Sequence, residues 1–204
     1  MAKTKLTKGE LKRQRDALSQ YERYLPTLQL KKQQLQLEIV HQLSLLEERR
    51  RTLLSKKKSA EAWSGFLREG FFDRAWLVPK KRSLSSKNVA GVEVSVFERL
   101  EFDDAEYDLF VVPLWVDGAV DALRALVSLQ EQIRTIEEGV RILRQELRIT
   151  TQRVNLFEKV KIPETKEAIR LIKIYIGDQM ANAVGRSKIA KNKIEESALE
   201  EVFA

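Results

Sequence analysis

Cysteine is absent from the 204-residue chain, which excludes disulfides, thiolate catalysis, Cys-type zinc sites and Cys-ligated iron–sulfur clusters. A single histidine, His41, excludes a His-cluster metal site within one chain. A Ser-His-Asp relay would have to recruit it from a helical stretch, and no G-x-S-x-G accompanies it. Glycine and proline are scarce, at 8 and 4 residues, and a chain so rich in Leu, Glu, Lys, Arg and Gln favours long helices over a β-sandwich. No apolar run approaches the ~18 residues of a membrane span. The basic N-terminus is followed by no apolar stretch of the secretory type. The expectation is a soluble, cytoplasmic protein without direct membrane insertion.

What is present is charge and apolar periodicity. Charged residues make up 33% of the chain and hydrophobic ones 43%, enough apolar content to fold. The net charge of +7 is concentrated in residues 1–58, which hold 15 Lys/Arg against 6 Asp/Glu. Such an arm suits nucleic acid, anionic lipid or an acidic protein surface, or is simply a solvated helix face.

Helical spacing runs from about residue 5 to 76. Leu18, Leu25, Ile39, Leu46 and Leu53 share one seven-residue register, broken by Lys32, and Tyr21, Leu28 and Leu35 fill the companion position before Gln42 and Arg49 dilute it. Steps of three and four put these side chains on one narrow stripe, which buries itself against another helix. Pro26 should kink this run or mark a junction between two helices. The second half repeats the pattern more cleanly. Ala119, Leu126, Ile133, Val140, Leu147 and Val154 form one heptad position; Ala122, Leu129, Ile136, Leu143, Thr150 and Phe157 form the other. Pro163 interrupts, and Ile169, Ile172, Ile176 and Met180 restart a helix.

Between the arms the period changes. Residues 83–88 read as a polar loop, and Val92, Val94 and Val96 alternate with polar residues as a short strand does. Residues 107–115 are the second strand candidate, with Pro113 near its end. A hairpin of these two needs a helix to pack on, and Trp63, Phe66, Phe71, Phe72 and Trp76 offer the surface. The expected fold is therefore mainly α: a long antiparallel two-helix coiled coil built from N- and C-terminal arms (1–77 and 118–204), with a small β-hairpin-containing insertion at 78–117. At ~1.5 Å per residue the arms would make a rod of roughly 60–75 Å, with little concave surface for a substrate.

No residue cluster suggests catalysis. Neither G-x-x-x-x-G-K-[ST] nor G-x-G-x-x-G occurs. The acidic cluster Glu98, Glu101, Asp103, Asp104, Glu106 and Asp108 lacks EF-hand spacing and reads as a charged hairpin tip. The triplets Arg49, Arg50, Arg51 and Lys56, Lys57, Lys58 point around a helix, so neither forms a flat patch. Their aromatic neighbours come later in the chain, and no nucleic-acid partner is expected.

Two stretches resemble the D subunit of the V-type and A-type rotary ATPases. One is Asn-Val-Ala-Gly-Val-Glu-Val-Ser-Val-Phe-Glu at residues 88–98. The other is Arg153, Val154, Asn155 and Glu158 followed by Ile162 and Pro163, similar to that family's Arg-Val-Asn motif and downstream Ile-Pro. The order of basic arm, Val-rich insertion, heptad helix and basic end agrees as well. The N-terminal arm departs from the family's Leu-Leu-Lys-x-Lys-Arg-like stretch, keeping Leu28, Leu30, Lys31 and Lys32, and Pro26 precedes it. The resemblance implies a non-catalytic central rotor shaft without a cofactor. It implies partners in the A and B subunits of a catalytic hexamer, in the F subunit and in the subunit that docks onto the membrane ring. Arg186, Lys188, Lys191 and Lys193, with Lys3, Lys5, Lys8, Lys12 and Arg13 at the other terminus, are then candidate hexamer contacts. A generic coiled-coil scaffold and a basic helical nucleic-acid-binding protein are the alternatives.

Overall fold

The computed structural model describes residues 5–69, 72–105, 107 and 112–203. Its order is a helix α1 (Lys8–Glu61), two short 3-10 helices (Ser64–Glu69 and Arg74–Leu77), strands β1 (Pro79–Val89) and β2 (Val92–Phe102), helix α2 (Trp115–Leu156), a π turn (Phe157–Lys161) and helix α3 (Ile162–Phe203). The chain divides into two compact units, residues 1–29 with 152–204, and residues 30–151.

The sequence Thr-x-x-Glu starts α1: the Thr7 hydroxyl accepts from Glu10 N–H and the Thr7 carbonyl from Leu11 N–H. The helix runs on through Pro26, so the proline marks no junction between helices. It forfeits one backbone hydrogen bond, while half-buried Leu25 and Leu28 on either side hold the helix to its apolar stripe. The expected helical run to residue 76 stops earlier, at Glu61. There Trp63 N–H reaches back only three residues to Ala60, and the Ser64 hydroxyl takes the Glu61 carbonyl.

The hairpin differs from the expected one. Its strands are β1 and β2, antiparallel, with Val89 opposite Val92. Residues 83–88, read as a loop, lie within β1. Of the expected strand 107–115, residues 108–111 lie outside the described ones; the others form no strand, and Trp115 begins α2. Ala90 and Gly91 make a two-residue turn with φ of 51° and 80°. Positive φ at both positions gives the backbone twist that a tight hairpin needs, and the Asn88 side chain accepts from Gly91 N–H at 2.9 Å.

In the unit of residues 30–151, α1 and α2 pair antiparallel. Lys31 meets Glu146 at 3.0 Å, Arg50 meets Glu137 at 2.5 Å, and Leu35, Ile39, Leu143 and Val94 form a buried cluster. In the other unit the start of α1 pairs with the π turn and with α3: the Tyr21 and Phe157 rings are 5.3 Å apart, and Glu22 meets Lys166 at 3.3 Å.

The π turn has a register function. Continuing the heptads strictly from Val154 and Phe157 would bring Lys161, Glu164, Ala168 and Leu171 to the stripe. Instead Thr165, Ile169 and Ile172 are buried, each one residue later, while Leu171 is 45% exposed. The turn absorbs that extra residue, since Ile162 N–H bonds Phe157 C=O five residues back. It also widens the backbone where the Pro163 ring would otherwise press on the carbonyl four residues before it. Removing Val160 together with Pro163→Ala should turn π into α and leave the stripe aligned, with a melting temperature within a few degrees of the parent. Removing Arg141, where nothing absorbs the shift, should rotate the following stripe by roughly 100° and abolish cooperative melting. Equal damage from both deletions would refute the register role.

Candidate functional site

The stripe residues expected from the heptads are placed as follows. In the unit of residues 30–151, Leu35, Ile39, Leu46, Leu129, Ile133, Val140 and Leu143 are buried, and Leu53, Leu126, Ile136 and Leu147 are half-buried. In the other unit Val154 is buried and Leu18, Leu25 and Leu28 are half-buried. Leu35 and Leu143 have no exposed surface. Polar residues within the stripe adapt rather than break it. Gln42 is half-buried and donates to Glu38 at 2.8 Å, and the Thr135 and Thr150 side chains sit in the buried set.

A seat for the β-hairpin, which the sequence reading missed, lies on this pair of helices. Val94 is 5% exposed and packs with Leu35, Ile39 and Leu143; Val89, Ala90 and Val92 lie against the same cluster. Gly139 of α2 makes room, because a Cβ there would lie 2.7 Å from Val94 Cγ1. Polar links join both helices. Lys87 of β1 meets Glu38 of α1 at 3.0 Å, and Arg82 of β1 donates to the Thr135 hydroxyl of α2 at 2.7 Å and lies 3.5 Å from Glu131. At the base of the hairpin Arg124 donates to the carbonyls of Trp76 (3.0 Å) and Asp103 (2.6 Å), its guanidinium over the Phe102 ring. The only local hint of this seat was Ala90-Gly91 between two valines.

Of the aromatics expected beneath the hairpin, Phe66, Phe72 and Trp76 have ring partners outside the two strands. Phe66 lies 5.9 Å from Trp115, Phe72 5.8 Å from Trp76, and Trp76 5.0 Å from Tyr107; Phe71 falls outside the described residues. Of the acidic cluster, Asp103 pairs with Lys80 and Glu101 with Arg99, while Glu106 and Asp108 lie outside the described residues. Among the described residues no group of three or more His, Cys, Asp or Glu is placed to hold a metal ion. His41 is exposed on α1. A cleft of about 370 Å³ beside the hairpin is lined by Glu38, Gln42, Arg49, Lys87, Phe97 and Thr135. Within it Lys87 meets Glu38.

Of the motif residues, Val154 is buried in the stripe and Ile162 half-buried, while Arg153, Asn155, Glu158 and Pro163 are exposed. Arg186, Lys188, Lys191 and Lys193 stand on the exposed part of α3, where every residue from 177 to 196 is exposed, including Val184 and Ile189 at 70% and 60%. Lys3 lies outside the described residues; Lys5, Lys8, Lys12 and Arg13 are exposed. Among the described residues no helix is long and apolar enough to cross a membrane.

The described residues thus build a helical pair along an apolar stripe, a hairpin fastened across it, and an exposed stretch of α3 carrying Arg186, Lys188, Lys191 and Lys193. The sequence model of the family described as the ATP synthase D subunit matches residues 10–192, and the chain belongs to that family. The V-type ATP synthase D subunit of Borreliella burgdorferi is 41% identical over 199 residues, spanning 95% of this chain and 96% of the relative. That of Chlamydia abortus is 34% identical over 198 residues, spanning 96% and 95%, and that of Chlamydia caviae 34% over 196, spanning 94% of each.

The Glu38 carboxyl is held below its ordinary value of 4.5, first by the Gln42 amide and then by Lys87, against the opposing effect of burial. A lowered folded-state pKa gives stability that is full above the unfolded value and fades as pH falls through the folded one. The melting-temperature gap between the parent and Glu38→Gln should therefore be constant above pH 4.5 and close on acidification below it. A gap independent of pH would contradict this role.

Proposed function

We propose that this chain is the non-catalytic central-stalk subunit of a V-type rotary ATPase or ATP synthase. It carries torque between the hexamer of A and B subunits, which hold the nucleotide sites, and the ion-translocating ring in the membrane. The F subunit and the subunit that docks onto the membrane ring are its other partners, and the complex holds it at the membrane periphery. The observation carrying this reading is the pairing of helices of 54, 42 and 42 residues along apolar stripes, with charged outer faces. Two helices locked along a stripe resist twist better than one. An axle turning inside other subunits also needs a surface without large apolar patches.

The uncovered part of α3 is the segment offered to the hexamer, with Arg186, Lys188, Lys191 and Lys193 meeting acidic loops. Mixing the chain with the A and B subunits of its organism should give co-elution at about one chain per hexamer and altered ATP turnover. Reversing the four basic residues to Glu should weaken that assembly, and the defect should depend on salt because charges more than ~10 Å apart are screened at 0.1 M. A generic scaffold would self-associate and ignore the hexamer. Unchanged assembly after charge reversal would remove these four residues from the interface. Failure of the parent chain to join an intact hexamer with the F subunit supplied would overturn the shaft reading.

A further inference from the structure

The hairpin is attached to both helices of the pair that it covers, by ion pairs and by apolar contact. On α1 it holds Glu38 through Lys87 at 3.0 Å, the Glu38 side chain being only 16% exposed. On α2 it holds Thr135 and Glu131 through Arg82, and Val94 sits against Gly139. Val94 also belongs to one cluster with Leu35 and Ile39 of α1 and Leu143 of α2. The direct ion pairs between the two helices are Lys31–Glu146 and Arg50–Glu137. Two helices joined by a single stripe can roll about it. A third element bonded to both turns that line of contact into a three-cornered section, and rolling then shears the hairpin.

We infer that the β-hairpin is a torsional brace, keyed into the α1–α2 pair by Val94 against Gly139, and that Gly139 is the positioning residue that lets it seat. Gly139 adds nothing to α2 as a helix residue, since glycine costs up to ~1 kcal/mol relative to alanine at such a position. Its use is the space it leaves. A methyl group there would meet Val94 Cγ1 at 2.7 Å, too close unless Val94 or the strand carrying it shifts. The brace is a property of the isolated chain; its use in carrying torque rests on the stalk reading above.

The absence of cysteine makes the test direct. Ser44→Cys on α1 and Arg141→Cys on α2, both at exposed positions, carry spin labels in the full chain. The width of the label-to-label distance distribution is read together with amide exchange of β2. Gly139→Ala should release β2 amides and broaden the distribution roughly twofold, and Val94→Ala/Gly139→Ala should restore both. The sign is diagnostic, because a purely local effect of alanine would stiffen α2 and narrow the distribution. Gly139→Val extends the series should the hairpin absorb one methyl group. An unchanged or narrower distribution in a variant whose β2 amides exchange freely would overturn the brace. So would failure of the double variant to rescue. In the reconstituted complex the releasing variants should lower ion transport per ATP hydrolysed while still assembling. Failure of the parent chain to assemble would count against the stalk reading and leave the spin-label result standing.

Discussion

Leu35, Leu143 and Ile172 retain no exposed surface in a chain whose outer faces are charged along most of their length. The apolar stripe they belong to is the constraint from which the rest of the structure follows. Within residues 30–151 it sets α1 against α2 in antiparallel order, and within the other unit it sets α1 against the π turn and α3. The exposed ion pairs beside it contribute little each, since charges in water gain only ~0–1 kcal/mol by pairing. Burial of the leucines and isoleucines supplies most of the cohesion, at about 1.5–3 kcal/mol per fully buried side chain before the entropy of ordering is counted.

Irregular features serve that stripe. The π turn keeps it aligned across one extra residue, as the one-residue displacement of Thr165, Ile169 and Ile172 requires. Pro26 is carried within α1 because the stripe continues on both sides. Gly139 leaves a gap in the outer wall of the pair, and the hairpin fills it with Val94. These positions weaken a helix taken alone, and each is explained by what it packs against or aligns.

The stripe was legible because steps of three and four encode a helix face directly, and every residue assigned to it from the heptads is buried or half-buried. The hairpin was half legible. Alternation in Val92 and Val94 marked β2, but in β1 the half-buried positions include Ser83 and Ser85 while Leu84 is 43% exposed, the reverse of the usual pattern. The more apolar residues 107–115 drew the strand assignment instead. Gly139 looked like one more residue of a heptad helix, because its role depends on Val94, far away in the chain. The π turn hid behind Pro163, which reads as a helix break when the count of residues through it is not compared with the heptads on either side.

The proposed stalk would offer its partners a hairpin fastened to a helical pair and an exposed stretch of α3 at residues 177–196. The most direct measurement fixes the A and B hexamer to a surface and attaches a probe at Lys81→Cys, an exposed site on β1. Rotation of the probe is then watched on addition of ATP. Sustained rotation in one direction, stopping when ATP is exhausted, is the predicted result. A probe that stays still while the assembled hexamer hydrolyses ATP would contradict the stalk reading.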